Sequence, residues 1–397
     1  MALFEKGELR FLWPFYLEIL VSAVFFILPA FMVVYFQGIN LSLTKIGFLI
    51  SSAFLAQLLF EIPTSALADI WGRKICVVLG FILGGITLIS IGIVREYYII
   101  FPLFFIYGIS GTLMSGAYEA WIIDNLRFNK KSHLTKNFYV HRQVILNFSL
   151  FFSGILAVFL VRSLGLGAIW FFSGFSFLIS GVILFFIKEF KLSHKREEKN
   201  FIGFLNQNKE SIRYSLKHKT ILIILMASLI GAIAWGLSSD LVINPLLKGR
   251  GMPIYWLGYL FSINALIGIF VPFISKRILK KNRKESKFIA YLFFFNALIL
   301  LSIIFTKSWI SVALIYLGAM AIFDIRMPLF GNFFQRLIPS KKRATIISIN
   351  SLAISVGAII GGPLAGFLAD NLSLELTIVF GGLLTIITAT LFLKIKV

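Results

Sequence analysis

The chain has 397 residues, of which 59% are apolar and 14% are charged, and 38 Lys and Arg against 17 Asp and Glu leave a formal charge of +21. A nucleic-acid-binding protein of this size would carry more charge, and a soluble enzyme would need more polar surface than a mean hydropathy of +0.92 provides. The composition therefore excludes both classes and predicts an all-α, polytopic membrane protein. The single cysteine, Cys76, cannot form an intrachain disulfide.

Twelve apolar stretches approach or exceed the roughly 20 residues that a membrane-spanning helix needs. They are 11–35, 46–68, 75–94, 98–123, 137–161, 168–187, 220–245, 255–274, 288–306, 309–333, 344–368 and 374–393. The first is longer than the apolar part of a cleavable signal, so we expect it to be retained.

The longest polar interruption follows the sixth stretch and divides the chain into three predicted parts. These are an N-terminal six-helix bundle (1–187), a cytoplasmic linker (188–219) and a C-terminal six-helix bundle (220–397). Two pseudo-symmetric six-helix bundles are the plan of many secondary transporters. In the linker, Lys209, Arg213 and Lys217 recur every four residues, which predicts an amphipathic helix on the membrane surface or a simple basic tether.

The distribution of Lys and Arg predicts the orientation. Thirty of the 38 lie on the face that carries both termini, six lie on the other face, and two lie within predicted spans. Because positive loops stay in the cytoplasm, we expect a cell-membrane protein with both termini and the linker inside. Membrane lipids are its expected partners, and we expect a monomer that does not bind nucleic acid.

The loop after the second span carries the sharpest motif. Asp69 is followed by two variable residues and then by Gly72, Arg73 and Lys74, with Ser65 upstream. This run resembles the loop signature of the major facilitator superfamily, in which a glycine usually occupies the place of Ser65. The resemblance implies the twelve-helix fold of that family, transport by alternating access, and a gating loop whose acid faces the start of span eleven. A loop that only fixes orientation is the alternative.

Weaker resemblances lie elsewhere in the chain. Segments 115–124 and 343–348 are similar to a prokaryotic branch of the same family, and segment 361–366 is similar to a Gly-Pro motif that the family carries in span five. We expect structural roles for Gly362 and Pro363 there, and for Glu61 and Pro63 at the inner end of span two.

Ionisable residues within the spans are the candidates for function, because each costs roughly 3 kcal/mol at the bilayer centre. Glu119 and Arg142 are equally distant from the loop between spans four and five, which predicts an ion pair. We expect Glu119 to take up and release a proton, with His141 as a possible partner. A static clamp between two helices is the alternative.

Further candidates lie in spans one, seven and ten. Asp324 and Arg326 lie near opposite sides of one helix, where Arg326 suits an anionic group and Asp324 suits a cation or proton, unless both only pack between helices. Asp240 is expected near the external end of its span, as a gate or a hydrated boundary residue. Glu18 is about a third of the way through span one, where the family resemblance implies that the central cavity begins to widen.

These features predict a secondary active transporter of a small organic solute. Intramembrane acids favour proton coupling, and the frequencies within the resembled family favour export; an importer or a non-transporting sensor are the alternatives. No Gly-Lys-Ser/Thr phosphate loop occurs, so ATP is not expected as the direct energy source. Four scattered histidines do not suggest a catalytic or metal cluster, so we expect no enzyme activity and no cofactor.

Overall fold

A computed structural model describes residues 4–5, 7–190, 215, 218–281, 285–339 and 342–395, and the secondary structure in these ranges is helical. The fifteen α-helices of the described ranges are α1 (Glu8–Val24), α2 (Leu28–Gly38), α3 (Leu43–Trp71), α4 (Arg73–Ile93), α5 (Tyr97–Met114), α6 (Ala117–Phe128), α7 (Thr135–Leu164), α8 (Ala168–Phe185), α9 (Lys219–Leu237), α10 (Asp240–Gly249), α11 (Trp256–Lys281), α12 (Glu285–Leu301), α13 (Trp309–Leu337), α14 (Arg343–Asn371) and α15 (Leu374–Leu393).

These helices fall on the twelve predicted spans. By length and composition, eleven helical segments of the described ranges are apolar enough to cross a membrane, and Trp256–Val271 adds a shorter apolar one within α11. The predicted all-α fold of two six-helix bundles is confirmed. The predicted amphipathic helix around Lys209 lies outside the described residues, and the domain limits at 187 and 220 remain predictions.

Three of the spans are interrupted, which the hydropathy pattern does not reveal. The breaks separate α1 from α2, α5 from α6, and α9 from α10. At the second break, Gly116 has a φ of +68°, which a residue with a side chain rarely adopts. The predicted spans one, four and seven are therefore pairs of half-helices, the form that lines binding sites in many transporters.

The break between α1 and α2 is stabilised by serines of neighbouring helices. The Ser153 hydroxyl of α7 donates to the carbonyl of Phe26 at 3.1 Å, and the Ser173 hydroxyl of α8 donates to the carbonyl of Phe25 at 3.3 Å. Both serines are fully buried. Because a carbonyl released from a helix has no water to bind in a bilayer, these hydroxyls compensate for the lost backbone hydrogen bonds.

The helices pack into two compact units. The first comprises residues 1–41, 52–193 and 253–269. Within it, α4 packs against α5 and α8, and α1 packs against α7 and α8. A side-chain carbon at Gly85 would lie 2.7 Å from the carbonyl oxygen of Gly174, so glycine is needed for the close approach of α4 and α8.

The second unit comprises residues 42–51, 194–252 and 270–397. Helix α9 packs against α14 and α15, and α12 packs against α13 and α15 around a buried apolar core. The first turn of α3 also belongs to this unit. Asp370 of α14 accepts hydrogen bonds from the backbone N–H groups of Leu43 and Thr44 at 3.1 and 2.8 Å, which satisfies two unpaired donors of that turn.

Candidate functional site

The first unit contains a cavity of about 390 Å³, within the size range of small-molecule sites. The break between α5 and α6 forms part of its wall, and helices α1, α4, α7 and α8 supply the rest. Three ionisable side chains line it together with aromatic rings: Glu18, Glu119 and Arg142. The structure therefore brings three of the predicted site residues to one cavity.

The predicted ion pair between Glu119 and Arg142 is present. An Arg142 guanidinium nitrogen lies 3.3 Å from Glu119 Oε1, and the Tyr139 hydroxyl donates to Glu119 Oε2 at 3.1 Å. Glu119 lies in the first turn of α6, where the helix dipole favours its negative charge. The two side chains are 42% and 34% exposed, so solutes and protons in the cavity can reach them.

Glu18 occupies a much drier part of the same wall. Its side chain is 2% exposed, and its Oε2 accepts a hydrogen bond of 2.5 Å from the Tyr118 hydroxyl. Tyr118 is also buried, and it directly precedes Glu119 in the chain. Two adjacent residues of α6 thus contact different charged partners at the cavity: Tyr118 contacts Glu18, and Glu119 contacts Arg142.

A narrower cavity lies inside the second unit, lined by Arg326. The Arg326 guanidinium stacks 3.7 Å above the ring of Phe293 and 5.2 Å from the ring of Phe323. Among the described residues no carboxylate forms an ion pair with it. The cavity measures about 30 Å³, which holds a water molecule but not an organic solute in this conformation.

The two acids of this unit do not pair with Arg326. Asp240 is the first residue of α10, just after the break, and accepts a hydrogen bond from Tyr316. Asp324 is partly buried on α13, two residues before Arg326. Tyr316 lies near both acids, close enough to interact electrostatically with each.

The motif loop between α3 and α4 is built around Gly72. Its φ is +108°, and a side-chain carbon there would lie 2.8 Å from Glu189 Oε2. Glu189 accepts hydrogen bonds from the backbone N–H groups of Arg73 and Lys74 at 2.8 and 3.3 Å, so it caps α4. Arg73 forms an ion pair with Asp124.

The other motif residues lie at the loop surface. The Lys74 ammonium lies 5.3 Å from the ring centre of Phe185, and Asp69 is exposed at the end of α3. The gating role of the loop remains a prediction. Glu61 and Pro63 are also exposed, near the same end of α3.

The glycine-proline stretch lies within α14. A side-chain carbon at Gly362 would lie 2.9 Å from the carbonyl oxygen of Gly47, so this position brings α14 against the start of α3. Pro363 follows inside the same helix. This close approach is compatible with the structural role expected for Gly362.

Several residues that contact the predicted site residues were not predicted from the sequence. They are three tyrosines, which donate to acids, and two acids near helix ends: Tyr118, Tyr139, Tyr316, Glu8 and Glu189. The one available signal was the position of Tyr118 beside Glu119. His141, expected as a partner of Glu119, contacts Glu8 instead, because consecutive residues of α7 point in different directions. Among the described residues, no cluster of three or more His, Cys, Asp and Glu is arranged to hold a metal ion.

Comparisons with known proteins agree on one family. The family model of the Major Facilitator Superfamily matches residues 15–345. The uncharacterized MFS-type transporter YxaM of Bacillus subtilis (strain 168) is 23% identical over 362 residues, which cover 89% of this chain and 88% of that protein.

Solved structures show the same fold. The nucleoside transporter NupG has a TM-score of 0.77 at 14% identity, covering 96% of this chain and 99% of that chain. A D-xylose-proton symporter has a TM-score of 0.72 at 13% identity, covering 97% and 98%. Because the family model spans most of the sequence, this chain belongs to the Major Facilitator Superfamily of membrane transporters.

Proposed function

We propose that the protein is a proton-coupled secondary transporter that moves a small polar organic solute by alternating access, with its substrate bound at the cavity of the first unit. One observation carries the proposal: the Glu119–Arg142 pair lines a cavity of about 390 Å³ and stays accessible within it. A cavity of this volume suits a small solute, and a charged pair in its wall can bind polar groups.

The pair supplies a way to couple a proton to the solute. While Glu119 is ionised, it holds Arg142; when Glu119 binds a proton, the attraction is lost and the guanidinium becomes available to the solute. A solute that binds Arg142 therefore favours the protonated carboxyl, and by linkage a proton on Glu119 favours the solute. Tyr139 can continue to hydrogen-bond the carboxyl in either state.

The direction of transport is to be decided by experiment. Export is our expectation from the frequencies within the family, and import is the alternative. One structural neighbour is by its name a proton symporter, which supports proton coupling on this fold. Its low identity carries no argument for direction.

Flux into proteoliposomes under an imposed pH gradient tests the proposal. Labelled uridine, D-xylose and 5-aminolevulinic acid are suitable first probes, within a wider panel of small polar solutes. We expect at least one solute to accumulate against its gradient, and reversing the pH gradient reports the direction. Absence of flux across the panel, together with retained binding, would contradict transport and favour a sensor.

The variant Glu119→Gln tests the role of the pair. We expect proton-driven accumulation to fall to the level of empty liposomes, because the amide cannot bind and release a proton. Glu375→Gln is the matched control, since Glu375 pairs with Arg250 at 2.7 Å with a similar exposure of 30% and lines neither cavity. Unchanged accumulation in Glu119→Gln would show that another group carries the proton.

A further inference from the structure

A second ionisable cluster lies at the start of α1, outside the cavity. The Glu8 side chain is fully buried, and its Oε1 accepts hydrogen bonds from the Tyr16 hydroxyl at 2.7 Å and from His141 Nδ1 at 2.5 Å. Its Oε2 accepts the backbone N–H of Glu5 at 3.0 Å. A buried carboxylate with three donors is well satisfied as an anion.

These contacts determine which atom of His141 can exchange a proton. Because both oxygens of Glu8 accept hydrogen bonds, Nδ1 of the imidazole must carry its hydrogen. That leaves Nε2 as the proton-accepting atom, and within the described residues it has no hydrogen-bond partner. The His141 side chain is 20% exposed, so the ring is open to its surroundings, whereas the Glu8 side chain is fully enclosed.

Among the described residues, few other charges surround Glu8. On its own helix it faces Tyr16, and from α7 it faces His141. Helix α8, which also packs against α1, contains no ionisable side chain. Glu5 lies one turn before Glu8 and is 3.9 Å from the exposed His133. Thus Glu8 is the acid that stabilises a positive charge on His141.

We propose that His141, held and oriented by buried Glu8, is a second proton-binding site of the transport cycle, separate from Glu119. The proposal rests on the proton coupling proposed above. Loading adds one proton to Nε2 and converts the neutral imidazole into an imidazolium beside the Glu8 carboxylate; unloading returns that proton to water. No other bond changes in either step.

The position of this site explains how it would affect transport. His141 directly precedes Arg142, which pairs with Glu119 in the cavity wall. A positive charge on His141 therefore appears next to the guanidinium of Arg142, for which Glu119 and the solute compete. Since like charges disfavour one another, occupancy of His141 changes the balance of the cavity pair without contact with the solute.

Nuclear magnetic resonance of isotope-labelled histidine rings tests the site without a solute. The His141 signal is identified by its loss in His141→Gln. We expect the labelled ring to gain a second proton at Nε2 as the pH is lowered, and we expect Glu8→Gln to disfavour this gain, because the Glu8 carboxylate lies beside the ring. A ring that never gains the second proton while the protein stays folded, or that gains it equally well in Glu8→Gln, would overturn the proposal.

A transport assay tests whether the site belongs to the cycle. We expect His141→Gln to lower proton-driven accumulation of the identified solute about tenfold or more, while solute exchange at equal pH persists. His133→Gln is the control, because His133 forms a longer and more exposed contact with Glu5. If the wild type is proton-driven and His141→Gln keeps its accumulation and pH profile, the second site is wrong; if the wild type shows no proton-driven flux, the proposed function itself fails.

Discussion

Each acid in the membrane-spanning helices must be compensated, and in this protein tyrosine hydroxyls do much of that work. Opposite charges give the largest expected attraction, so the charge pattern predicts that acids pair with cations. This holds for Glu119 and Arg142, whose pair is present. Three of the 12 tyrosines act as donors to these acids, and the sequence does not distinguish them from the other nine until the helices are packed. The acid–tyrosine pairs are Glu18–Tyr118, Glu119–Tyr139 and Asp240–Tyr316.

The variant Tyr118→Phe should lower stability measurably. Its hydroxyl is the donor to a carboxyl that is 2% exposed, and a buried acceptor left without its donor costs about 1–3 kcal/mol. Tyr139→Phe is the matched control, since its hydroxyl bonds Glu119, which is 42% exposed and can be hydrated. Thermal unfolding in detergent should show a lower midpoint for Tyr118→Phe only. Equal midpoints for both variants would contradict the role of Tyr118.

At the scale of the helices, small residues and hydroxyls decide where helices bend and how closely they approach. The break between α1 and α2 has no glycine of its own, and it depends on Ser153 and Ser173 from other helices. Hydropathy therefore predicts one continuous span there. The approach of α14 to α3 likewise depends on the pairing of Gly362 with Gly47, which only the folded chain reveals.

The variant Gly362→Ala should destabilise this approach. The added carbon would lie 2.9 Å from the Gly47 carbonyl oxygen, so the helices must shift, at a cost of about 1–3 kcal/mol. Gly331→Ala in α13 is the control, because its added carbon meets no atom within 4 Å and alanine favours a helix by about 1 kcal/mol. Unfolding midpoints should fall for the first and not for the second. No loss of stability in Gly362→Ala would show that α14 can move away without cost.

At the scale of the whole molecule, the charge of +21 reflects the predicted orientation of the chain in the membrane. Thirty of the 38 cations lie on the face predicted to be cytoplasmic, and this distribution predicts the same side for the motif loop. The predicted membrane topology therefore rests on the positive-inside rule.

Labelling of single cysteines tests that orientation. Cys76 is buried, and replacing it with alanine removes the cysteine background. In that variant, Lys307→Cys should react with a membrane-impermeant maleimide in intact cells, whereas Arg127→Cys should react only after permeabilisation. Both positions are exposed, and each change removes one cation of 38. The reverse pattern of labelling would place the termini outside.

The sequence by itself determined the class of protein, the twelve apolar spans, the family resemblance through Asp69 to Lys74, and the pairing of Glu119 with Arg142. Those features depend on composition, periodicity and equal distances along two antiparallel helices, all of which are local. Only the tertiary structure decided that three spans are broken, that Glu189 caps α4, and that buried Glu8 holds His141. The first of these breaks, the Glu189 cap and the Glu8–His141 contact involve residues more than 100 positions apart. Helix periodicity cannot specify such contacts, because it fixes the face of a residue but not the neighbour it meets.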